Sequence, residues 1–416
     1  MLHVKTPNPP KKLQKPSIAC GSASEIGCRT PSEPPPSPLS TLFAMAGIFG
    51  TSGTTASSAA ANPTQGDVSK DVQVGNPPED SISDLKFGPQ PSGNNDFLSV
   101  ASWDKKVRIY QVDKQGNTNP FAMIEHEGPV LNTCWSPDGT KVFSAGTDKL
   151  VKVLDLGAGH TQPNQAVTVA GHDQPIRCVE TFNHNGTPML VTGSWDKTIK
   201  YWDTRQPGQQ AAVTVDAKER VYTMDVRNDS MLVVGTAERW IHVIDLKNPT
   251  TFFKSLQSPL KWQTRVVSTF TDGTGFAIGS IEGRCAIQYV EDKDSSNNFS
   301  FKCHRQTPPN DRNTSQVYAV NAISFHPVHG TFSTAGSDGT FHFWDKDAKH
   351  RLKGYPEVGG TISATDFNRT GEIFAYAVSY DWSKGYAHNS PNLPNKIMLH
   401  PIGPDECKPR PKTTKR

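Results

Sequence analysis

The chain has 416 residues, of which 35% are hydrophobic, and it contains 33 glycines and 33 prolines. This composition favours many short strands over a helix bundle, and without an apolar run of about eighteen residues no membrane span is expected. The net charge of +3 is concentrated at the ends, since residues 1–66 and residues 401–416 each hold five basic and two acidic residues. The remaining chain is mildly acidic, so any contact with nucleic acid needs a local basic patch or the tails.

The cysteines and the N-terminus indicate the compartment. The seven cysteines include no CxxC pair, which predicts a reduced, intracellular chain without a zinc site. The N-terminus has no apolar stretch followed by a small-residue cleavage site, which argues against secretion. We find no phosphate-binding glycine loop, metal-ligand cluster or nucleophile motif, so we predict neither an enzyme nor a cofactor.

Residues 1–66 are rich in Pro, Ser, Ala, Thr and Gly, as in "PSEPPPSPLS". Such a segment cannot bury enough apolar surface to offset its chain entropy, so we predict a disordered extension. A second methionine, Met45, opens "MAGIFGTSG" and offers an alternative start of translation. The next short segment, "KDVQV" at 70–74, alternates polar and apolar residues and is expected to supply an outer strand for the last repeat unit.

Residues 67–402 are repetitive. Seven segments resemble "LVTGSWDKTIKYWDT", in which an apolar strand, a polar turn with an acid and a second strand follow one another. The spacing of the turn acids, 44, 48, 42, 44, 56 and 43 residues, is typical of β-propeller blades. We therefore predict an all-β, seven-bladed β-propeller. The turn acids are Asp104, Asp148, Asp196, Glu238, Glu282, Asp338 and Asp381.

The third unit has the most regular pattern, with His172 before it, Asp196 in its turn and Trp202 at the end of a strand. It resembles the WD-repeat family, in which such a His, a Ser or Thr, the turn Asp and the Trp form a hydrogen-bonded staple. The resemblance implies Ser194 as the hydroxyl, with Thr192 as the alternative. A His–Asp–Ser set also occurs in hydrolases, but within a repeat we interpret it as structural.

The motif is weaker in other units. His126 and Asp148 form a partial copy in the second unit, with Leu154 in place of the tryptophan. The fifth unit lacks both the Gly-His and the Trp-Asp pairs, so its assignment as a blade depends on the period alone.

Longer phrases are more specific. "GFAIGSIEGRCAIQY", "NFSFKCHR", "YAVNAISFHPVHGTFSTAGSDGTFHFWDKDA" and "FAYAVSYDWSKG" resemble the nuclear-pore mRNA export factors of eukaryotes, and the resemblance runs from about Met45 to the end. A sister family, the spindle-checkpoint propellers, shares "GSIEGR" and "FKCHR". The "SYDWSKG" turn and the basic "KPRPK" tail fit the export factors better.

The resemblance implies a non-enzymatic adaptor. Such proteins bind the GLEBS motif, a short helical hairpin of an FG-nucleoporin, and associate with messenger ribonucleoprotein or single-stranded RNA. We expect a nuclear protein of the nuclear pore complex and nuclear envelope that shuttles to the cytoplasm, does not enter a membrane and is monomeric apart from its partner. The alternative is a kinetochore adaptor that binds GLEBS-like motifs of checkpoint kinases, with mitotic checkpoint proteins as partners.

The resemblance assigns the GLEBS contact to the turn of the fifth unit, where Arg284 follows Glu282. A guanidinium can hold a carboxylate in a bidentate way that lysine cannot copy. The alternative is an ordinary ion pair within the chain, for which Glu282 is the nearest candidate. Trp382 and Lys384 in the "SYDWSKG" turn either face the partner or lock the turn, and the residues alone favour neither.

A second candidate surface combines basic and aromatic side chains after the fifth and sixth units. This combination suits single-stranded RNA, because phosphates contact the charges and bases stack on the rings. In the family, Phe301 and Trp344 correspond to an aromatic pocket that viral inhibitor proteins also occupy. The alternative is that Trp344 belongs to a staple and that the charges are simply solvated. The predicted set is Phe301, Lys302, Arg305, Trp344, Lys346, Lys349, Arg351 and Lys353.

The C-terminal tail, residues 403–416, is basic from Lys408 onward. Its charges predict a salt-dependent hold on RNA or a nuclear localisation signal. Disordered filler is the third interpretation.

Overall fold

The computed structural model describes residues 64–410, apart from residues 91, 92, 94, 207, 209 and 312. Over this range the chain forms seven four-stranded antiparallel sheets, whose first strands contact one another in a closed series. This arrangement is a seven-bladed β-propeller and confirms the predicted fold class. Most of the predicted extension and the end of the basic tail lie outside the described residues. No helix in the described ranges is long and apolar enough to cross a bilayer.

The first four blades each use four consecutive strands, here lettered a to d from the central channel outward. Blade 1 comprises Ile82–Phe87, Asp96–Ser102, Lys106–Val112 and Thr118–Glu125. Blade 2 comprises Val130–Trp135, Lys141–Gly146, Leu150–Asp155 and Val167–Gly171. Blade 3 comprises Ile176–His184, Thr187–Ser194, Thr198–Asp203 and Val213–Asp216. Blade 4 comprises Val221–Arg227, Met231–Thr236, Trp240–Asp245 and Lys254–Gln257.

The remaining blades follow the same order until the last. Blade 5 comprises Thr264–Thr269, Gly275–Ser280, Arg284–Tyr289 and Phe299–Lys302. Blade 6 comprises Val320–Phe325, Phe332–Gly336, Phe341–Asp345 and His350–Gly354. Strands a to c of blade 7 are Ile362–Phe367, Ile373–Val378 and Lys396–Pro401. Between blades 5 and 6, Arg305–Gln306 pairs with Gln316–Val317 in a small hairpin.

Strand d of blade 7 comes from the other end of the chain. Val72–Gln73 pairs antiparallel with the last strand, Val72 opposite Leu399, which confirms the predicted role of segment 70–74. This pairing closes the ring, so the last blade has no missing strand.

Both ends of the described chain pack beyond the predicted propeller limits of 67 and 402. Gly66 donates a backbone hydrogen bond to the Gly354 carbonyl, and Gly354 donates one to the Thr64 carbonyl, each at 2.9 Å. At the other end Cys407 is buried, and its carbonyl accepts a hydrogen bond from the Thr331 hydroxyl at 2.7 Å. The folded body therefore includes residues on either side of those limits.

Both faces of the blades are buried, which explains the dense apolar pattern of the strands. In Thr198–Asp203 the side chains of Ile199, Tyr201 and Trp202 are almost fully buried although Tyr201 and Trp202 point to opposite faces. Trp202 packs against residues of blade 2, and Tyr201 packs against residues of blade 4. Burial of each such side chain contributes roughly 1.5–3 kcal/mol, so the packing between blades holds the ring together.

The two ends of each blade form two faces of the disc. In an antiparallel blade, the turn between strands b and c and the link from strand d to the next blade lie at the same end. We call this end the top face; the a–b and c–d turns form the bottom face. All turn acids predicted from the sequence are therefore on the top face.

Every strand a has a β-bulge near its start. In each blade the pairing of strand a with strand b skips the second residue of strand a, which is left without a partner in strand b. A bulge re-aims its side chain, and here all seven side chains line one cavity at the top mouth of the central channel. We call this set the bulge ring: Ser83, Leu131, Arg177, Tyr222, Arg265, Asn321 and Ser363.

Candidate partner-binding surfaces

The staple of blade 3 forms around Thr192. His172 lies 2.8 Å from Asp196 through Nδ1 and 2.7 Å from the Thr192 hydroxyl through Nε2, and the Trp202 indole donates to the same hydroxyl at 2.9 Å. Ser194 donates instead to backbone carbonyls of the preceding link. The choice of Ser194 was therefore wrong, and Thr192 takes its place.

The environment of this staple suits a structural role. Burial lowers the pKa of His172 despite its bond to Asp196, and although burial opposes it, the bonds from His172 and Thr198 hold the pKa of Asp196 below its usual value. The imidazole is buried, so it offers no accessible nucleophile or base.

The staple recurs in two further blades. In blade 2, His126 bonds Asp148 and the Ser144 hydroxyl, both at 2.8 Å, as the partial copy predicted. In blade 6, His304 bonds Asp338 at 2.9 Å and Thr334 at 3.0 Å.

The alternative that Trp344 belongs to a staple is therefore confirmed, but the histidine of this staple was not predicted because its spacing is unusual. The hairpin between blades 5 and 6 separates His304 and Asp338 by 34 positions, against 24 for His172 and Asp196. The sequence signal for this staple was the Trp-Asp pair at the end of strand c. Its Trp344 indole donates a hydrogen bond to the Thr334 hydroxyl at 2.9 Å.

On the top face of blade 5, Glu282 lies between two arginines. Arg284 begins strand c and reaches Glu282 only at 4.0 Å, with 31% of its side chain exposed. Arg305, at the start of the small hairpin, donates to the Glu282 carbonyl at 2.8 Å and lies 3.7 Å from its carboxylate. Because the contact to Arg284 is long, its guanidinium retains donors for a second carboxylate.

The outer edge of blades 5 and 6 holds the predicted aromatic pair. The rings of Phe301 and Trp344 lie 4.5 Å apart, and the ammonium of Lys349 lies 5.0 Å from the ring of Phe299. Arg351, on strand d of blade 6, is the register partner of Trp344. Both basic side chains are exposed, so this edge combines rings with free cations.

The structure does not bring the whole predicted set together. Lys346 is buried and engaged, 2.9 Å from Asp347 and 5.0 Å from the ring of Phe270; although burial acts in the opposite direction, Asp347 raises the pKa of Lys346. Arg305 belongs to the Glu282 group on the top face.

Two further members of the set lie differently. Lys302 is exposed but alternates away from Phe301 and is the register partner of Arg284. Lys353 is partly buried opposite Phe343. The edge is therefore smaller than predicted, and we define it by Phe301, Trp344, Lys349 and Arg351.

The "SYDWSKG" turn is held tightly. The Trp382 ring stacks on Trp103 with centroids 3.9 Å apart, and the Tyr380 hydroxyl accepts from the Lys384 amide and donates to the Gly385 carbonyl. The Lys384 side chain is exposed, whereas Trp382 is half-buried. Locking the turn thus accounts for Trp382, and Lys384 is the side chain free to meet a partner.

A set of exposed apolar side chains on the top face was not found from the sequence. Trp195, Trp240 and Ile281 lie in or beside the b–c turns of blades 3, 4 and 5, and Trp262, 59% exposed, lies in the link between blades 4 and 5. Large exposed rings near one another mark binding surfaces. For Trp195, Trp240 and Ile281, the position one or two residues from a turn acid was the available signal in the sequence.

The central channel below the bulge ring contains one lysine among carboxylates. Although burial opposes it, Glu180 and Asp366 raise the pKa of Lys86. Burial raises the pKa of Glu180 to about 8 and that of Asp366 to about 6. Lys86 and Glu180 line a small cavity of the channel, and in the described residues no set of three or more His, Cys, Asp or Glu side chains is placed to hold a metal ion.

Comparison with known proteins agrees with this geometry. The WD domain, G-beta repeat family matches residues 119–155, 164–203 and 311–345. The mRNA export factor GLE2 of Chaetomium thermophilum is 65% identical over 372 residues, 89% of this chain and 100% of its own length. The Poly(A)+ RNA export protein of Schizosaccharomyces pombe is 58% identical over 83% of this chain and 95% of its own. The chain belongs to the WD-repeat mRNA export factors.

The family extends to animals: Protein Rae1 of Drosophila melanogaster is 47% identical over 82% of this chain and 96% of its own length. Membership in the mRNA export factors supports a role in mRNA export. The staple histidines are buried, which agrees with a structural role for them in such a protein. The top face of the propeller and the edge of blades 5 and 6 carry the side chains that the sequence predicted as partner contacts.

Proposed function

We propose that the chain is a non-enzymatic adaptor of mRNA export that works in the nucleus and at the nuclear pore complex. Its top face binds the GLEBS hairpin of an FG-nucleoporin, and its blade 5–6 edge contacts RNA or messenger ribonucleoprotein. The names of its relatives, an mRNA export factor and a Poly(A)+ RNA export protein, support the process. The charged and aromatic side chains of the two surfaces support the assignment of the nucleoporin contact to the top face and of the RNA contact to the blade 5–6 edge.

The observation that carries the nucleoporin contact is Arg284. Its guanidinium is partly exposed on the top face, its ion pair to Glu282 is stretched to 4.0 Å, and exposed Ile281 stands three positions before it. A charged donor beside apolar side chains fits an amphipathic hairpin that carries carboxylates.

The test compares two charge reversals of equal size. Arg284→Glu is expected to weaken binding of a GLEBS peptide by at least about thirtyfold, because truncating one partner of a buried charge pair costs about 2–5 kcal/mol. Arg205→Glu is the matched control, since Arg205 is exposed beside Asp203 at the end of strand c of blade 3, on the bottom face. Isothermal titration calorimetry measures both, and thermal unfolding checks that neither variant is misfolded.

Equal affinity of Arg284→Glu and wild type would remove Arg284 from the contact. A checkpoint-kinase peptide with a GLEBS-like motif is titrated in parallel. Tighter binding of that peptide than of the nucleoporin peptide would favour the kinetochore alternative.

The RNA contact is supported by the exposed cations beside the rings. Lys349 and Arg351 flank the aromatic pair Phe301 and Trp344 on the outer edge, so a single strand could place phosphates on the charges and a base on the rings. Reversal of both charges is expected to weaken binding of a poly(A) oligonucleotide and to reduce the slope of log affinity against log salt by about 1–2.

A control with the same change in net charge separates this patch from overall electrostatics. Lys114→Glu combined with Lys247→Glu alters exposed lysines in blades 1 and 4. If the control and the Lys349–Arg351 reversal change the salt slope equally, the edge is not the RNA site.

A further inference from the structure

We propose that Thr307, in the small hairpin between blades 5 and 6, is a phosphorylation site for a proline-directed kinase, and that Arg305 binds the phosphate. Thr307 directly follows Gln306, the last paired residue of the first hairpin strand, and Pro308 comes next. Its side chain is exposed. A hydroxyl just beyond the end of a strand ladder can reach a kinase, because its backbone is not part of the sheet.

The described chain has four other Ser-Pro or Thr-Pro pairs, and their hydroxyls are less accessible. Ser136 and Ser258 are buried, and Thr187 and Ser390 are half-buried. The hydroxyls of Ser136 and Ser390 also accept hydrogen bonds from backbone amides of their own turns. The Thr307 hydroxyl has no hydrogen bond to the rest of the described chain, so a phosphate there breaks no contact of these residues.

Pro308 sets the direction of the Thr307 side chain. A residue before proline is restricted to extended conformations, and in an extended segment side chains two positions apart point to the same side. We therefore place the Thr307 hydroxyl on the side of the strand from which Arg305 reaches the Glu282 carbonyl.

Arg305 has donors for a second anion. It donates to the Glu282 carbonyl at 2.8 Å, and its contact to the Glu282 carboxylate is long, 3.7 Å. Its Nε is buried and has no hydrogen-bond partner in the described chain, and a buried donor left unpaired costs free energy. A phosphate oxygen would satisfy this donor.

The surrounding charge also favours a phosphate. Arg284 lies on the other side of Glu282, and Lys302 is the register partner of Arg284. Three cations therefore accompany one carboxylate. A phosphothreonine carries a charge of about −1.5 to −2 at neutral pH, which compensates the excess positive charge of this group.

The transfer requires only a nucleoside triphosphate besides the kinase. The γ-phosphorus of ATP forms a bond to Oγ1 of Thr307 while its bond to the β,γ-bridging oxygen breaks. ADP leaves, and the hydroxyl proton passes to the catalytic carboxylate of the kinase. The product has acceptor oxygens that a guanidinium can hold through two parallel hydrogen bonds.

The phosphate also affects the arginine that the proposed function uses. Glu282 lies 3.7 Å from Arg305 and 4.0 Å from Arg284. When the phosphate binds Arg305, the Glu282 carboxylate is released to pair with Arg284, whose donors are then no longer open to a partner. This consequence rests on the proposed function, whereas the modification itself and the pairing with Arg305 do not.

The first experiment treats the folded full chain with a purified proline-directed kinase and ATP, and mass spectrometry locates the phosphate. Thr307 is expected to be phosphorylated, whereas Ser136 and Ser258 in the same sample are modified only after unfolding. Pro308→Ala keeps the hydroxyl but should lose most of the phosphate at Thr307. A folded chain without phosphate at Thr307 would overturn the proposal.

The pairing is tested by ³¹P NMR of the phosphorylated chain across pH. Hydrogen bonds from Arg305 favour the dianion, so the phosphate, with an ordinary second pKa of about 6, should titrate at least about 0.5 pH units lower than in the urea-unfolded chain. Arg305→Gln should remove most of this difference. Lys302→Gln, the control that removes the same charge from an exposed side chain, should retain it.

Equal titration of the two variants would reject the pairing with Arg305. If Arg305→Gln does not fold, Arg305→Lys replaces it, because lysine keeps the charge and loses the bidentate geometry. A titration in Arg305→Lys identical to that of wild type would then count against the pairing.

Calorimetric titration with a GLEBS peptide separates this inference from the proposed function. The phosphorylated chain is expected to bind the peptide at least about tenfold more weakly than the unphosphorylated chain. Equal affinity would reject the link from Thr307 to Arg284. If neither form binds the peptide, the proposed function fails, while phosphorylation of Thr307 and its lowered titration would still support the modification site.

Discussion

Blade 3 and blade 7 have the same four-stranded sheet, but they are built in different ways. Blade 3 uses the continuous segment Ile176 to Asp216, and its staple joins residues within about 30 positions. Blade 7 joins the two ends of the folded body, and its buried network links Asp71 to His400 at 2.6 Å and His400 to Glu406 at 3.3 Å. The strand pairs and the staple of blade 3 join residues that are near in sequence, whereas those of blade 7 join residues from the two ends of the folded body.

Removing the closing strand should have the largest effect. A chain that begins at residue 76 loses Val72–Gln73 and the Asp71 carboxylate, which also accepts from the Tyr376 hydroxyl at 2.6 Å. The open edge of blade 7 then has no partner. Differential scanning calorimetry should show a Tm lowered by more than about 10 °C or no cooperative transition.

The control for that experiment is a chain that begins at residue 64, which keeps the closing strand and its contacts to Gly354. Equal Tm values for the two truncated chains would show that the strand is dispensable.

Blade 7 should also be the pH-sensitive blade. Although burial opposes it, Asp71 and Glu406 raise the pKa of His400 to about 9. A group with a raised folded-state pKa contributes stability that is fully present below about 6.5 and is lost as the pH rises through 9. The free energy of unfolding from urea titrations should therefore fall by up to about 3 kcal/mol between these values.

His400→Gln is expected to flatten this dependence, because the amide cannot carry the charge. A wild-type slope that survives in His400→Gln would assign the effect to other groups.

The smallest expected effect belongs to the local staple of blade 3. Thr192→Val keeps the shape but removes the hydroxyl shared by His172 and Trp202, and leaving buried donors unpaired should cost about 2 kcal/mol. Ser194→Ala removes a hydroxyl that donates to backbone carbonyls and accepts from the Asp196 amide, and this change should cost about 1 kcal/mol. A larger loss for Ser194→Ala in urea titrations would contradict the assignment of the staple to Thr192.

The sequence was sufficient for the features that repeat. The 42- to 56-residue spacing of the turn acids and the alternation in "TIKYWDT" predicted seven blades, and segment 70–74 was recognised by the same alternation. Thr192 and Ser194 could not be separated in this way, since both lie two apart on the same face of one strand and both are buried. Only the distance to Trp202 decides between them.

The features that depend on contacts between blades could not be predicted from the sequence. Nothing in "DKDAK" distinguishes Lys346, which turns inward to Asp347 and Phe270, from Lys349, which remains exposed. The bulge ring arises from the register between strands a and b, so its members carry no common residue type. Arg177 lies 19 positions before Asp196 and Arg265 lies 17 positions before Glu282, so aligning the units on their turn acids would not have matched the two arginines.

The closure of the ring also sets the timing of biosynthesis. Residue 72 leaves the ribosome early, yet its partner is residue 399. At about 5–20 residues per second, the first strand waits for some tens of seconds before it can pair. During that interval the two edges that will close the ring are unpaired, so the ring can close only after residue 399 has left the ribosome.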